Sequence, residues 1–212
     1  MSAPDVVIVA TGGANTASLR FALERQGARS EVSADAARIR AASHVILPGV
    51  GAAADAMARL RRDGLDALIP TLTQPVLGIC LGMQLLFEFS AEGRTHCLGI
   101  LPGVAARLSE APGRPVPHMG WNTLHIERES PLLSGLRNET YAYFVHSYAV
   151  PRSAATTAVC VYGVPFSACV EWRNFYGTQF HPERSAGFGA RLIGNFLAIP
   201  APSEPGAAPP CA

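Results

Sequence analysis

The chain has 212 residues, of which 49% are hydrophobic and 16% are charged, as in a globular protein with a large core and not in a disordered one. The net charge of +1 gives no reason to expect a nucleic acid or an anionic membrane as a partner. No apolar run is long enough to cross a membrane, and the five cysteines include no CxxC pair, so we expect a cytoplasmic protein without disulfides or zinc.

The first half of the chain alternates short apolar segments with segments of helical periodicity. Buried strands are predicted at residues 6–10, 43–49 and 75–79. Helices are predicted at residues 16–27, where a glycine ends the pattern, at 55–62, and at 83–89. Strands without polar alternation, each followed by a helix, indicate parallel β-α units in a sheet that is covered on both faces.

The second half is dominated by strand patterns separated by turn residues. Strands are predicted at residues 99–108, 125–127, 140–150, 156–162, 166–172 and 175–180, and a last helix at 190–197. We therefore predict an α/β fold with a central, mostly parallel mixed sheet flanked by helices and extended by antiparallel edge strands. Residues 1–199 are expected to form one domain, and the proline-rich residues 200–212 an unstructured tail in which Cys211 is an idle thiol.

A single cysteine lies where the third predicted strand meets a helix, in the sequence GICLG. This strand–turn–helix with glycines two residues to either side of Cys80 has the form of a nucleophile elbow. Gly78 and Gly82 are expected there because a sharp turn leaves no room for neighbouring Cβ atoms. The helix that follows would point its free amides at the thiol and stabilise an oxyanion. The alternative is that Cys80 is a small buried hydrophobic residue, as most free cysteines are.

A thiolate nucleophile needs a base, and the base needs a group that orients it. In the sequence YGTQFHPERS, His181 follows an apolar strand and Glu183 comes two residues later, so we predict this pair as base and orienting carboxylate. The other histidines are weaker candidates. His44, His96 and His125 are expected to be structural, whereas His118 and His146 could equally line a site or belong to the core.

The segments PGVG, GICLGMQ and HPE, in that order, resemble the class I (triad) glutamine amidotransferases. Longer segments are similar to the glutaminase subunits of imidazole glycerol phosphate synthase, a family of histidine biosynthesis: GANTASL, PGVGAAADAM, GICLGMQLLFE, LGILPG, PHMGWN, YFVHSYAV and FYGTQFHPERS. This resemblance runs from about Val6 to Leu197, and PHMGWN and FVHSY carry the assignment to the subfamily.

The resemblance implies a division of roles among the residues. Cys80 would attack the side-chain amide of L-glutamine, His181 would protonate the departing ammonia, and Glu183 would orient His181. The remaining implied residues are Gly49, Val50 and Leu81 for the oxyanion hole, Gly51, Gln84, Glu92, Ser147 and Tyr148 for glutamine, and Asn15 and Trp121 near the partner. The implied partner is a cyclase (β/α)8-barrel subunit, which would use the ammonia to make imidazole glycerol phosphate and an aminoimidazole carboxamide ribotide.

Two alternatives stay open at this point. The chain could be the glutaminase of another pathway, such as anthranilate or pyridoxal phosphate synthesis, although PHMGWN and FVHSY argue against it. It could also be a non-catalytic regulatory protein on the same scaffold, although all three triad residues are present. The sequence shows no metal or organic cofactor motif, and we expect none to be required.

Overall fold

A mixed nine-stranded sheet forms the centre of the structure, a computed structural model that describes residues 5–12 and 16–201. Numbered in chain order and given in their order across the sheet, the strands are β2 (Arg29–Ser33), β1 (Asp5–Val9), β3 (His44–Leu47), β4 (Val76–Ile79), β13 (Phe175–Thr178), β12 (Val164–Trp172), β11 (Thr156–Tyr162), β8 (His118–Ile126) and β9 (Thr140–His146). The first five are parallel to their neighbours, and the pairs from β13 to β9 are antiparallel. This confirms the predicted fold class.

A smaller sheet and six α-helices complete the described part of the chain. The second sheet has the order β10 (Tyr148–Ala149), β7 (Leu101–Arg107), β5 (Phe87–Ser90) and β6 (Thr95–His96). The helices are α1 (Thr16–Arg25), α2 (Ala36–Ala41), α3 (Ala53–Arg62), α4 (Leu65–Leu68), α5 (Leu81–Leu85) and α6 (Ala186–Ala198). None of them is long and apolar enough to span a membrane.

The parallel strands are apolar throughout because both faces of the sheet are covered. In β1, Val6 and Ile8 pack into one hydrophobic cluster, whereas Val7 and Val9 pack into the cluster on the other face. All four side chains are 0% exposed. Burial on both faces is what the sequence predicted for a strand without polar alternation.

The predicted helix at residues 83–89 is wrong in its second half. Helix α5 ends at Leu85, and β5 begins two residues later. The backbone carbonyls of Leu85, Leu86 and Phe87 accept hydrogen bonds from amides of residues 98–101 and therefore cannot continue the helical ladder. The helical spacing of MQLLFEF also fits a short helix followed by a half-buried strand, and pairing with β7 decides between the two.

Other differences concern elements at the edge of the fold. The edge strand β2 and helix α2 were not predicted, because RSEVS is polar and α2 has only six residues. Helix α6 begins at Ala186, one turn before the predicted start. The second sheet was also missed, since the strand at residues 99–108 was expected on the edge of the central sheet. Asn15 and the tail from residue 202 onward lie outside the described residues.

The topology brings three of the predicted motifs to one edge of the sheet. Strands β3, β4 and β13 are adjacent and parallel, so their carboxyl ends lie side by side. The PGVG turn follows β3, Cys80 follows β4, and His181 follows β13. Ligand sites of open α/β sheets are found at this edge.

The turn after β4 depends on a close approach between two backbones. A Cβ atom added to Gly82 would clash with the carbonyl of Leu47, which is rigid backbone of β3. We expect Gly82→Ala to lower the free energy of unfolding by roughly 3 kcal/mol, measured by urea denaturation. In Gly187→Ala, the control in the first turn of α6, the added methyl meets nothing within 4 Å, so stability should be unchanged or slightly raised. Equal effects of the two substitutions would contradict this packing.

Candidate active site

Cys80 has the strained backbone that the elbow predicts. Its φ of 54° and ψ of −111° lie in a region that non-glycine residues rarely adopt. The Cys80 amide donates to the carbonyl of Thr178 at 2.7 Å and so ties the bend to β13. A Cβ atom on Gly78 would come within 2.7 Å of the backbone of Met83. The glycines are therefore required by the close packing of α5 on the strands.

His181 and Glu183 form the predicted second part of the site. His181 Nδ1 lies 2.8 Å from Glu183 Oε1, and both side chains are 9% exposed. The backbone on this side is also held, since the amide of His181 donates to the carbonyl of Tyr143 at 2.9 Å and Ser185 Oγ donates to the His181 carbonyl at 2.7 Å. The carboxylate accepts at Nδ1, so the buried Nε2 is the nitrogen left to exchange a proton.

Electrostatics favour a charged His181. Burial by itself lowers the pKa of His181, but the interaction with Cys80 and the hydrogen bond and charge of Glu183 outweigh it and raise the pKa to about 10. Nε2 makes no hydrogen bond of ordinary geometry with any described residue, although it lies close enough to Cys80 for the two groups to interact. The cysteine and the histidine are therefore suited to act as a thiolate–imidazolium pair.

A cavity of about 290 Å³ opens beside these residues. Its lining includes Cys80, His181 and all the residues predicted to bind glutamine, together with three residues that were not predicted, Pro117, Val145 and His146. The full lining is Val50, Gly51, Cys80, Leu81, Gln84, Glu92, Pro117, Val145, His146, Ser147, Tyr148 and His181. Its size and mixed apolar and polar lining suit a ligand as small as an amino acid. The cavity thus brings together Cys80, His181 and the residues predicted to bind glutamine, which come from five segments of the chain.

A second cavity, of about 140 Å³, adjoins the first, and Val50, Val145 and His181 line both. It is lined by Leu19, Pro48, Gly49, Val50, Ile79, Val145, His181, Glu183 and Arg184. Gly49 is located here and not in the larger cavity, whereas Val50 lines both. The PGVG turn therefore lies between the two spaces.

Sequence reasoning missed Gln179, which is completely buried next to Cys80. Its Nε2 lies 3.8 Å from Cys80 Sγ, and its Oε1 accepts a hydrogen bond of 3.0 Å from Gln84 Nε2. Gln84 Nε2 also donates to the carbonyl of Tyr148 at 2.8 Å. The available signal was a polar residue within the apolar YGTQF segment, two positions before His181.

Glu92 lies in the cavity with one of its oxygens already used. Its Oε2 accepts a hydrogen bond of 2.8 Å from the amide of Ala53, the first residue of α3. This contact fixes the carboxylate and leaves its other oxygen available to a ligand. Glu92 therefore has both the position and the charge to bind a cationic group.

The two ambiguous histidines form a buried pair. His118 Nδ1 lies 2.9 Å from His146 Nε2, and only His146 reaches the cavity. Burial lowers the pKa of His118 to about 4 and that of His146 to about 3, so both rings are neutral at pH 7. Of the histidines expected to be structural, His44 is buried and hydrogen-bonded to the carbonyl of Ile199, and His96 and His125 are exposed outside both cavities.

Trp121, predicted near the partner, is 52% exposed and lies outside the cavity, where its ring packs edge-on against Tyr143 at 5.9 Å. Asn15 belongs to the undescribed residues. Within residues 5–12 and 16–201, no three His, Cys, Asp or Glu side chains are grouped so that they could hold a metal ion.

The family described as "Glutamine amidotransferase class-I" matches residues 7–199. The chain belongs to this family.

Relatives of high identity narrow the assignment. The chain is 53% identical over 198 residues to "Imidazole glycerol phosphate synthase subunit HisH" of Xanthomonas oryzae pv. oryzae, covering 93% of this chain and 99% of that protein. It is 50% identical over 194 residues to "Imidazole glycerol phosphate synthase subunit HisH 2" of Legionella pneumophila, covering 92% and 98%. Within the amidotransferase family the chain therefore groups with the HisH subunits.

Solved structures share the fold at much lower identity. A putative GMP synthase protein from Thermoplasma acidophilum has a TM-score of 0.73 at 18% identity, covering 93% of this chain and 94% of its own length. PurLQS from Thermotoga maritima has a TM-score of 0.71 at 20% identity, covering 92% and 97%. At these identities the likeness establishes the fold alone.

The neutral histidine pair makes the fold sensitive to acid. The folded-state pKa of each ring lies below the ordinary value of 6.5, so below that pH the unfolded chain binds more protons than the folded chain. Stability is therefore lost as the pH falls from about 6.5 towards 4, by roughly 3 kcal/mol for each histidine. Urea denaturation across this range measures the slope.

His118→Phe removes one titrating ring and should make this slope shallower by roughly 1 kcal/mol per pH unit. The control is His125→Gln, at a side chain that is 62% exposed, and its slope should match that of the unmodified protein. If the slope of His118→Phe equalled those of the unmodified protein and of His125→Gln, His118 would titrate normally in the folded protein.

Proposed function

We propose that the chain is the glutaminase subunit of an imidazole glycerol phosphate synthase and that Cys80, His181 and Glu183 are its catalytic triad. The single observation that supports the triad is the placement of Cys80 on a strained bend, in one cavity with a histidine whose Nδ1 is held by Glu183 at 2.8 Å. The names of the relatives that are 53% and 50% identical support the assignment to this enzyme. Residues 1–199 are assigned to one amidotransferase domain, in keeping with the matched range of 7–199.

The first half-reaction transfers the γ-glutamyl group to sulfur. Cys80 Sγ attacks the side-chain amide carbon of glutamine, and the C–S bond forms as the carbonyl oxygen takes up negative charge. His181 Nε2 gives its proton to the amide nitrogen, the C–N bond breaks, and ammonia leaves. Glu183 accepts the hydrogen bond from Nδ1 and holds the ring so that Nε2 is the nitrogen on the side of Cys80.

Water completes the cycle. The neutral His181 takes a proton from water, the resulting hydroxide attacks the thioester carbon, and the C–S bond breaks to return the electron pair to sulfur. Glutamate is released and the thiolate–imidazolium pair is restored. The sum of the two steps is glutamine plus water giving glutamate plus ammonia.

Backbone amides would stabilise the tetrahedral oxyanion. The amide of Leu81 follows the nucleophile directly and belongs to the first turn of α5, where amides have no intrahelical partner. The second donor would come from the Gly49–Val50 part of the PGVG turn between the two cavities. Gly51 has a φ of +87°, and Val50 is 39% exposed, so the turn has the room and the glycine it needs to change conformation. A turn that completes the hole only in the assembled enzyme would keep the isolated subunit idle.

The polar groups of the cavity match the functional groups of glutamine. We assign the free oxygen of Glu92 to the α-ammonium group, and Gln84, Gly51 and the backbone of residues 147–148 to the remaining polar atoms. Glu92 and Gln84 are held by hydrogen bonds within the protein before any ligand binds. Preorganisation of this kind lowers the cost of binding a small polar ligand.

An exposed apolar patch next to the site is assigned to the partner. Met119, Trp121 and Tyr141 are 64%, 52% and 59% exposed, and they lie on one face of the β8–β9 pair. The same face includes Tyr143, whose carbonyl binds His181 and whose ring lies 5.5 Å from the guanidinium of Arg184. Exposed aromatic residues mark protein interfaces. A cyclase (β/α)8-barrel subunit docked here would receive ammonia away from water, where it stays an uncharged nucleophile.

We place this enzyme in the cytoplasm. Cys80 must stay reduced to act as a nucleophile, and no disulfide joins Cys80, Cys97, Cys160 and Cys169 in the described residues.

Cys80→Ala tests the proposed reaction directly. In the complex with the barrel subunit, the substitution should abolish glutamine-dependent synthesis of imidazole glycerol phosphate and leave ammonium-dependent synthesis unchanged, because only ammonia production needs the thiol. Cys97→Ala, at a thiol outside the cavity, should leave both activities intact. Loss of both activities in Cys80→Ala would contradict the division of labour between the subunits.

Trp121→Ala tests the assigned docking patch. A buried aromatic residue at an interface is worth about 2 kcal/mol or more, so the Kd for the barrel subunit should rise roughly 30-fold by isothermal titration calorimetry. Trp172→Ala is the control. Trp172 is 37% exposed and pairs with Phe175 at the start of β13, whereas the site lies beyond the end of β13, at the opposite edge of the sheet. An unchanged Kd in Trp121→Ala would remove this patch from the interface.

A further inference from the structure

The buried histidine pair is joined to the glutamine cavity by a continuous chain of hydrogen bonds that the reaction itself does not use. His118 Nε2 lies 3.3 Å from Asn122 Nδ2, and His118 Nδ1 lies 2.9 Å from His146 Nε2. His146 Nδ1 in turn lies 2.8 Å from the carbonyl oxygen of Tyr148. His118 is 3% exposed, and His146 is 6% exposed. Both rings are therefore shielded from solvent, and each has two polar partners.

The direction of every bond in this chain is fixed from both ends. At one end the Tyr148 carbonyl can only accept, so His146 carries its proton on Nδ1 and its Nε2 accepts from His118 Nδ1. At the other end the amide of Asn122 is oriented, because Nδ2 donates to the Val161 carbonyl at 3.1 Å and Oδ1 accepts from the amide of Thr123 at 2.8 Å. Asn122 Nδ2 therefore donates to His118 Nε2, which again places the His118 proton on Nδ1.

Packing holds the His118 ring in the orientation that these hydrogen bonds require. Its ring is stacked between Phe144 at 4.8 Å and Tyr162 at 4.0 Å between centroids. Burial also keeps the ring neutral at pH 7, so Nε2 stays an acceptor. The ring therefore has one position and one tautomer.

The far end of the chain reaches the nucleophile. The Tyr148 carbonyl accepts a second hydrogen bond from Gln84 Nε2, and the other hydrogen on Gln84 Nε2 goes to Gln179 Oε1. Gln179 Nε2 then points at Cys80 Sγ at 3.8 Å. Because both amide hydrogens of Gln84 are used, its Oε1 is the atom left for a ligand in the cavity.

We propose that His118 is a positioning residue for glutamine, acting through His146 on the Tyr148 carbonyl and the Gln84 amide. The proposal rests on the glutaminase function proposed above. Without the His118 donor, His146 Nε2 becomes a buried acceptor with no partner, and the ring can instead take the proton on Nε2. Its Nδ1 lone pair would then face the lone pairs of the Tyr148 carbonyl, and repulsion would turn this peptide and release Gln84.

Two substitutions separate the hydrogen bond from the packing. His118→Phe keeps a ring between Phe144 and Tyr162 but removes the donor, whereas His118→Asn loses the ring and keeps an N–H in the place of Nδ1. For glutamine hydrolysis in the complex with the barrel subunit, His118→Phe should raise the KM for glutamine about tenfold and change kcat less than threefold. A tenfold change corresponds to about 1.4 kcal/mol, which is the size of effect expected when one buried polar group is left unpaired. His118→Asn should keep the KM within about threefold.

The matched control is His44→Phe. His44 is also buried, hydrogen-bonded to a backbone carbonyl at 3.1 Å and packed edge-on against an aromatic ring, but it lies at the amino end of β3, away from the cavity. This variant should be less stable than the unmodified protein. Its KM for glutamine should equal that of the unmodified protein. If His118→Phe likewise lost stability with an unchanged KM, His118 would be a structural residue and the proposal would be wrong.

A second measurement depends neither on the variants folding nor on the glutaminase function. Long-range ¹⁵N spectra of the unmodified complex report which ring nitrogen carries the proton, and both His118 and His146 should be protonated on Nδ1, the tautomer that is the minor one in free histidine. Protonation on Nε2 in either ring would overturn the proposal. Absence of glutamine hydrolysis by the unmodified complex would instead overturn the proposed function, so the two failures are distinguishable.

Discussion

The backbone bend at Cys80 is the constraint on which the rest of the site depends. A residue with φ of 54° is stable only when its surroundings hold it, and here the holding groups are the β13 backbone on one side and the first turn of α5 on the other. Gly78 and Gly82 allow this helix to lie directly on β4 and β3. The same contact that strains Cys80 therefore also fixes the amide that follows it relative to the PGVG turn.

The order of the strands in the parallel half of the sheet places the other residues of the site next to this bend. Because β3, β4 and β13 are neighbours and run in the same direction, the segments after them meet at one edge. The β8–β9 pair closes the site from the other side, where the carbonyl of Val145 lies 3.8 Å from Cys80 Sγ and the carbonyl of Tyr143 accepts a hydrogen bond from the His181 amide. An antiparallel pair thus reaches the edge of the sheet where the candidate site lies and carries the exposed patch next to it.

Burial has opposite consequences for the histidines of this protein. His181 lies next to the Glu183 carboxylate and the Cys80 thiolate, and these interactions outweigh burial and raise its pKa. His118 and His146 have no counter-charge among the described residues, and burial lowers the pKa of each. One ring is thereby suited to give up a proton to a leaving group. The other two keep fixed tautomers, as groups that orient a peptide must.

Sequence patterns were enough to predict the fold class, the parallel β-α units, the elbow at Cys80 and the pairing of His181 with Glu183, because these depend on local periodicity, glycine spacing and residues two positions apart. The folded structure was needed to establish that Phe87–Ser90 is a strand, that a second sheet exists, and that Gln179 and His118 belong to the network around the cavity. Strand pairing and hydrogen bonds between residues far apart in the chain settle these points, and no local pattern encodes which distant groups will be their partners.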